Sequence, residues 1–173
     1  MEQIQKHEHA PQELNFGWMK KSFFRWIAFG FGSGLVKKAP GTWGTLFGWW
    51  SWFLVSFLVR NDLVQAIIIF LAFALGVYVC QRVANETGIQ DHGGVVCDEI
   101  VAFWLVLFVM APLPFVWQLA AFIIFRFFDI VKPWPINFFD EKIKNGFGVM
   151  WDDMVAAIYT LFVIAIAVRV LWM

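Results

Sequence analysis

The chain has 173 residues, of which 61% are hydrophobic and 15% are charged. A soluble domain is about 45–50% apolar and about 25% charged, so this composition is typical of an integral membrane protein. The 13 basic residues balance the 13 acidic ones, which gives no reason to expect nucleic acid as a partner.

Residues 1–22 form a polar N-terminal segment, and the apolar part of the chain follows it. This segment has no apolar stretch with a cleavage site, so we expect that no signal peptide is removed and that the apolar segments themselves insert. No linker divides the remainder, and residues 23–173 are predicted to form a single membrane-embedded domain. Cys80 and Cys97 lack partners at metal-ligand spacing and are interpreted as structural thiols.

Three apolar blocks have about the 17 to 25 residues that a membrane helix needs: 43–59, 63–80 and 154–173. The polar turn at residues 60–62 joins the first two as a helical hairpin. Arg169 lies near the end of the third block, where its long side chain can reach the interface. The sequence therefore predicts three full spans.

A fourth apolar block, 100–125, is interrupted near its middle by Pro112 and Pro114. Each half is roughly 18 Å of helix, against a hydrocarbon core of about 30 Å, so two full crossings are excluded. One kinked crossing and a re-entrant hairpin both remain open.

The distribution of basic residues favours the hairpin. Lysines and one arginine before the first span predict a cytoplasmic N-terminus; they are Lys20, Lys21, Arg25, Lys37 and Lys38. Only a hairpin then keeps residues 81–98 and 126–153 on the cytoplasmic side, where the second segment adds three lysines. The predicted fold is all-α, a polytopic membrane helical bundle with three full spans and a proline-broken re-entrant helical hairpin.

The segment 32–48 (GSGLVKKAPGTWGTLFG) is rich in glycine and hydroxyl residues. Its backbone around Gly41, with hydroxyls from Ser33, Thr42 and Thr45, could bind an anionic headgroup. A helix break followed by close packing of small residues explains the same pattern.

Adjacent acids begin two apolar blocks, Asp98 with Glu99 and Asp152 with Asp153. Carboxylates near hydrocarbon are costly unless they cap a helix, are paired or bind a cation. A cap uses one acid rather than two, which favours cation binding over capping.

Arg126, Asp129 and Lys132 recur at intervals of three and would share one helix face. Cations that flank an acid suit a site for phosphate and metal together, and a structural ion pair at the membrane surface is the alternative. With Asp91, six acids lie in segments that the hairpin gathers on one side. Mg²⁺ takes oxygen ligands of this kind, with water and substrate phosphate.

The three segments GSGLVKKAPGTWGTLFG, DHGGVVCDE and FRFFDIVKPWPINFFDEKIKNGFGVMWDD, in that order, resemble the bacterial phosphatidylglycerophosphatase A family. The resemblance implies a magnesium-dependent phosphatase that converts phosphatidylglycerophosphate to phosphatidylglycerol at the cytoplasmic face of the bacterial inner membrane. Ala102, Asn145 and Ala157 stand where the family pattern has glycine.

From the residues and the resemblance together, we predict three sets of residues, of which the catalytic and metal sets overlap. The catalytic set is Asp98, Glu99, Asp129, Lys132, Asp152 and Asp153. The metal set is Asp98, Glu99, Asp129, Asp152 and Asp153, with Asp91 as a weaker candidate. The substrate-binding set is Ser33, Gly41, Thr42, Thr45 and Arg126.

Other phosphatase chemistries need motifs that this sequence lacks, namely Cys-x5-Arg, Ser-Gly-His with a distal histidine, and Asp-x-Asp. Metal-activated water or a metal-assisted acid nucleophile remains. Outside enzymes, a transporter or channel with an acidic ion site is the main alternative, and a structural subunit is a second.

Overall fold

A computed structural model describes residues 15–171, with the backbone alone for residues 139–141. In this part of the chain there are eight α-helices, one 3-10 segment at Gly30–Leu35, and no strand. The helices are α1 (Phe16–Met19), α2 (Phe23–Ala28), α3 (Pro40–Leu58), α4 (Asp62–Thr87), α5 (Cys97–Met110), α6 (Phe115–Val131), α7 (Ile136–Lys142) and α8 (Gly146–Leu171). The all-α prediction is confirmed for the described residues.

Helix α5 forms the centre of the bundle and packs against α3, α4, α6 and α8. Nine of its 14 residues are buried, as expected for a helix that is apolar on every side. Because α5 packs against four helices, the side chains of its first turn, Asp98 and Glu99, are enclosed by the ends of those helices.

Among the described residues, two helices, α4 and α8, are long and apolar enough to cross a membrane. The prediction of three full spans is therefore wrong. Helix α3 (Pro40–Leu58) forms over all but the last residue of the predicted block 43–59, but its 19 residues include four tryptophans and three glycines, which lower its mean hydropathy.

Helices α5 and α6 form an antiparallel hairpin around residues 111–114. Glu99, in the first turn of α5, pairs with Arg126 near the end of α6 at 3.1 Å. This excludes the single kinked crossing. At 14 residues α5 is about 21 Å long, shorter than the hydrocarbon core; the re-entrant position of the hairpin in a membrane remains a prediction.

Helix α8 begins eight residues before the predicted block, at Gly146. The Asn145 side chain accepts a hydrogen bond from Gly148 N at 3.0 Å and serves as the helix cap. Gln81 in α4 accepts a second bond from Gly146 N at 2.9 Å. Asp152 and Asp153 consequently lie inside the helix and do not cap it, so the capping alternative is wrong for this pair.

Packing begins before residue 23, because Trp18 and Met19 are buried. The Arg25 guanidinium lies 4.0 Å from the centre of the Trp18 ring and pairs with Glu86 of α4 at 2.9 Å. Residues 1–14 of the predicted polar segment lie outside the described residues.

Candidate active site

The predicted acids and cations come from the start of α5, the end of α6 and the first turns of α8, and they meet at one end of the bundle. Asp153 in α8 is close enough to Asp98, Glu99, Asp129 and Asp152 for their charges to interact with it. The structure therefore brings these predicted acids together, and their roles remain predictions.

Arg126 is at the centre of this cluster. Its Nη1 lies 3.1 Å from Glu99 Oε1 and 2.5 Å from Asp129 Oδ2. Arg126 and Asp129 lie three residues apart on α6 and share one face, as their spacing predicts. Only about an eighth of each of these side chains is exposed, so one guanidinium compensates two largely buried carboxylates.

The N-terminal turns of α3 close over this pair. Thr45, fully buried, donates to Gly41 O at 2.8 Å and accepts a bond from Arg126 Nη1 at 3.4 Å. A Cβ on Gly41 would lie 1.9 Å from Glu99 Oε1 and 2.8 Å from Arg126 Nη2. A side chain at this position would displace the end of Glu99 or Arg126, so glycine allows α3 to approach the ion pair without disturbing it.

Lys132 leaves the face that Arg126 and Asp129 share. It ends α6 in a left-handed conformation with φ 43°, and its ammonium group reaches across to the carboxylate of Asp152 in α8. The site thus contains a second ion pair, which joins α6 to α8.

Burial is the dominant electrostatic effect on the acids at the start of α5. It raises the pKa of the Asp98 carboxyl well above its usual value, and the neighbouring charge of Glu99 adds to the shift. Burial also raises the pKa of Glu99, as does the charge of Asp129, while Arg126 lowers it. Additional positive charge in the site would favour the ionised forms of both groups.

Three buried polar atoms in the cluster lack a hydrogen-bond partner among the described residues: Glu99 Oε2, Arg126 Nε and Asp153 Oδ2. Buried polar groups without partners are costly, and in a site they indicate a bound ion, water or ligand. The donor, Arg126 Nε, suits an anion, and the two carboxylate acceptors suit a cation.

Within the described residues, no three His, Cys, Asp or Glu side chains are positioned to hold a metal ion. Mg²⁺ does not require such a set, because it usually binds one or two carboxylates and completes its octahedron with water and substrate phosphate. Glu99 Oε2 and Asp153 Oδ2 are hard oxygen donors of the type it takes, so the residues fit this ion.

The remaining predicted residues lie around the cluster. Ser33 donates to Gly30 O at 2.9 Å in a local turn, Thr42 is half-buried in the first turn of α3, and Asp91 is exposed in the loop 88–96.

Sequence reasoning missed the positioning roles of Gln81 and Asn145. The Asn-Gly step at 145–146 is a recognisable helix start, but nothing in the sequence links Gln81 to Gly146.

Together, the described helices and the buried cluster of acids and cations define an all-helical protein with an enclosed ionic site, and its two long apolar helices are consistent with a membrane protein. The family model for phosphatidylglycerophosphatase A matches residues 26–168. The chain belongs to this family and is a phosphatase that acts on a phosphate monoester.

Three relatives are similar over most of their length. Phosphatidylglycerophosphatase A of Haemophilus influenzae is 49% identical over 141 residues, 80% of this chain and 84% of that protein. Its Escherichia coli namesake is 39% identical over 132 residues, 76% of each chain. A Bacteroides thetaiotaomicron protein with a provisional name as a phosphatidylinositol-3-phosphatase is 36% identical over 147 residues, 82% of this chain and 91% of that protein. No solved structure matches the chain.

The close approach at Gly41 gives a direct test of the ion pair. Gly41→Ala should displace Glu99 or Arg126, and we expect activity to fall about a hundredfold, the scale of a misplacement near 1 Å. Alanine is otherwise favoured over glycine in a helix by about 1 kcal/mol, so without the clash the variant would be more stable than the parent. Gly93→Ala, whose Cβ meets nothing within 4 Å, is the control. Phosphate release and thermal unfolding are measured for both; a stabilised, fully active Gly41→Ala contradicts the packing described here.

Proposed function

We propose that this chain is a magnesium-dependent lipid phosphatase that hydrolyses phosphatidylglycerophosphate to phosphatidylglycerol and phosphate in phospholipid biosynthesis. The names of two relatives, at 49% and 39% identity, support this substrate. The coexistence of an unpartnered buried donor, Arg126 Nε, with unpartnered buried acceptors, Glu99 Oε2 and Asp153 Oδ2, supports a site for a phosphate and a cation together.

Arg126 and Lys132 are the phosphate-binding cations in this proposal. Arg126 uses Nη1 for Glu99 and Asp129, which leaves Nε to donate to a phosphate oxygen. Guanidinium groups bind phosphate through several donors held in a fixed plane. Both cations would stabilise negative charge on the phosphoryl group in the transition state.

The acids would hold the metal through Glu99 and Asp153, with Asp98, Asp129 and Asp152 around them. A bound Mg²⁺ supplies polarisation of the phosphoryl oxygens and a lower pKa for a coordinated water. The carboxylates of the cluster hold this positive charge in a low-dielectric site, where electrostatic interactions are stronger than in water.

Hydrolysis forms a bond from a water oxygen to phosphorus and breaks the bond from phosphorus to the glycerol oxygen. A carboxylate of the cluster that is not a metal ligand accepts a proton from the attacking water, and the resulting carboxyl group returns this proton to the glycerol oxygen, which leaves as the alcohol. The protein supplies positioning and charge for both transfers.

The proposed membrane arrangement concerns the helices that cross the bilayer and the side that the ionic cluster faces. We infer that α4 and α8 cross the bacterial inner membrane, that the α5–α6 hairpin re-enters it, and that the site faces the cytoplasm. Lys142 and Lys144, in the segment that leads from α6 into α8 at the same end of the bundle as the site, support this orientation. The transporter alternative has no comparable support, since the acids gather at one end of the bundle rather than along a path through it.

Activity and metal dependence test the proposal directly. Purified protein should release phosphate from short-chain phosphatidylglycerophosphate with Mg²⁺, and EDTA should abolish the release until Mg²⁺ is restored. Asp129→Asn should reduce turnover by about a hundredfold or more, because it removes a charge from the cluster. Asp62→Asn, at the exposed start of α4, is the control. Preference for phosphatidylinositol 3-phosphate would overturn the proposed substrate headgroup. Full activity in EDTA would overturn the proposed dependence on Mg²⁺.

Lys132→Met separates the phosphate role from anchoring at the membrane surface. We expect turnover to fall about a hundredfold, as for loss of one electrostatic donor, while the protein still inserts. Lys144→Met, at an exposed position, should keep parent activity. Because the change also removes the ammonium group beside Asp152, thermal unfolding is measured in parallel. Near-parent turnover for Lys132→Met would mean that the pair with Asp152 is structural.

The orientation predicts that the loops before α5 and α8 are accessible from the same, cytoplasmic, side. Single cysteines at Gln90 and Lys144, both exposed, should react with a membrane-impermeant thiol reagent only in inside-out vesicles. The parent is a suitable background because Cys80 and Cys97 are buried. Labelling of the two positions from opposite sides would disprove the proposed topology.

A further inference from the structure

A cavity of about 470 Å³ lies between α2, α3, α4 and α5. Its walls are almost entirely hydrocarbon; they include Ile27, Phe47, Leu54, Ala72, Ile100 and Trp104. This volume is in the range of small-molecule sites, which are mostly lined by apolar and aromatic side chains.

Two polar side chains in these walls, Trp104 and Ser51, are engaged with each other and with the backbone. Trp104 Nε1 donates to Gly48 O at 2.9 Å and to Ser51 Oγ at 3.0 Å, and Ser51 Oγ donates to Gly48 O at 3.0 Å. Because these groups already have partners, the cavity suits a ligand segment without hydrogen-bonding groups.

The mouth of the cavity is formed by large apolar side chains that are strongly exposed. Phe31, Trp50 and Leu54 are 58%, 63% and 46% exposed. Contiguous exposed apolar surface of this kind indicates contact with lipid or another apolar partner. A hydrocarbon chain could therefore enter sideways from the bilayer.

One face of α3 connects the cavity to the ionic site. Gly44, Phe47 and Leu54 are spaced by three and seven residues and lie on the same side of the helix. A Cβ on Gly44 would lie 2.9 Å from Glu99 Oε2, while Phe47 and Leu54 line the cavity. About 15 Å of helix separates Gly44 from Leu54, so the apolar walls extend away from the acids along α3.

The position of Ile100 on α5 also places the cavity next to the acids. Ile100, which lines the cavity, follows Glu99 directly in the chain. A larger cavity of about 1040 Å³ lies at the other end of α5, around Ala111 and Arg169, and is not adjacent to the acids.

We propose that the groove between α2, α3, α4 and α5 holds one acyl chain of a diacyl phospholipid whose phosphate monoester lies at Arg126 and Glu99. This inference rests on the proposed function, because it assigns the apolar part of the same substrate. Burial of methylene groups in the groove then contributes to the binding of long-chain substrate.

Filling the groove tests the proposal through chain-length selectivity. Ala72→Phe places a ring in the cavity, and Ala74→Phe puts the same ring on the exposed side of α4. The ratio of kcat/KM for long-chain over short-chain phosphatidylglycerophosphate should fall at least about tenfold in Ala72→Phe, the effect of excluding roughly two methylene groups. Ala74→Phe should keep the parent ratio. An unchanged ratio in Ala72→Phe, or an equal fall in both variants, overturns the proposal.

Photolabelling of the parent protein tests the same site without a substitution or turnover. The probe is a phosphonate analogue of phosphatidylglycerophosphate with a diazirine near the end of one acyl chain, and phosphatidylcholine with the same chain is the control probe. The phosphonate probe should label groove residues of α3, α4 and α5 well above the control, and excess unlabelled short-chain phosphonate should remove the difference. Equal labelling by the two probes would show general lipid contact and overturn the proposal.

The two measurements also separate this inference from the proposed function. Absence of phosphate release from every substrate would overturn the function, whereas the phosphonate labelling would still decide whether the groove binds the chain. Phosphate release without chain-length selectivity would agree with the proposed function but would overturn the binding of an acyl chain in the groove.

Discussion

The interaction on which the site depends is the contact of the Arg126 guanidinium with Glu99 and Asp129. It joins the start of α5 to the end of α6, both largely removed from solvent. Removing one partner from a buried ion pair typically costs about 3 to 5 kcal/mol, because the remaining charge stays desolvated. Arg126 consequently holds the hairpin closed at its polar end. Glycine at position 41 leaves this contact undisturbed, since a Cβ there would lie 1.9 Å from a Glu99 oxygen.

The acids of α8 are positioned by hydrogen bonds at the start of that helix. Its first turn is held by Asn145 and by Gln81 of α4, so the helix starts well before its apolar stretch and carries Asp152 and Asp153 on buried turns. Lys132 turns out of α6 in a left-handed conformation and contacts Asp152. Both α6 and α8 are thus fastened to the site through charges rather than through apolar packing alone.

The arrangement places an ionic site at the end of an apolar bundle, which matches the chemistry of a phospholipid. The proposed substrate has a polar phosphate monoester and hydrocarbon chains, and an enzyme for it must bind both across one boundary. In this chain the boundary passes along α3, where Gly44 contacts Glu99 and Phe47 begins the apolar groove. Low dielectric around the acids strengthens their interactions with cations.

The sequence by itself determined the helical class, the break at Pro112 and Pro114, the shared helix face of Arg126 and Asp129, and the residues that form the cluster. These follow from local periodicity, proline chemistry and motif order, all of which are readable within a segment. Only the tertiary structure decided that α8 starts at Gly146, that Lys132 contacts Asp152, and that Gly41 lies in close approach to Glu99. Each of these depends on how near one helix comes to another, and that distance is set by the packing of side chains distant in sequence.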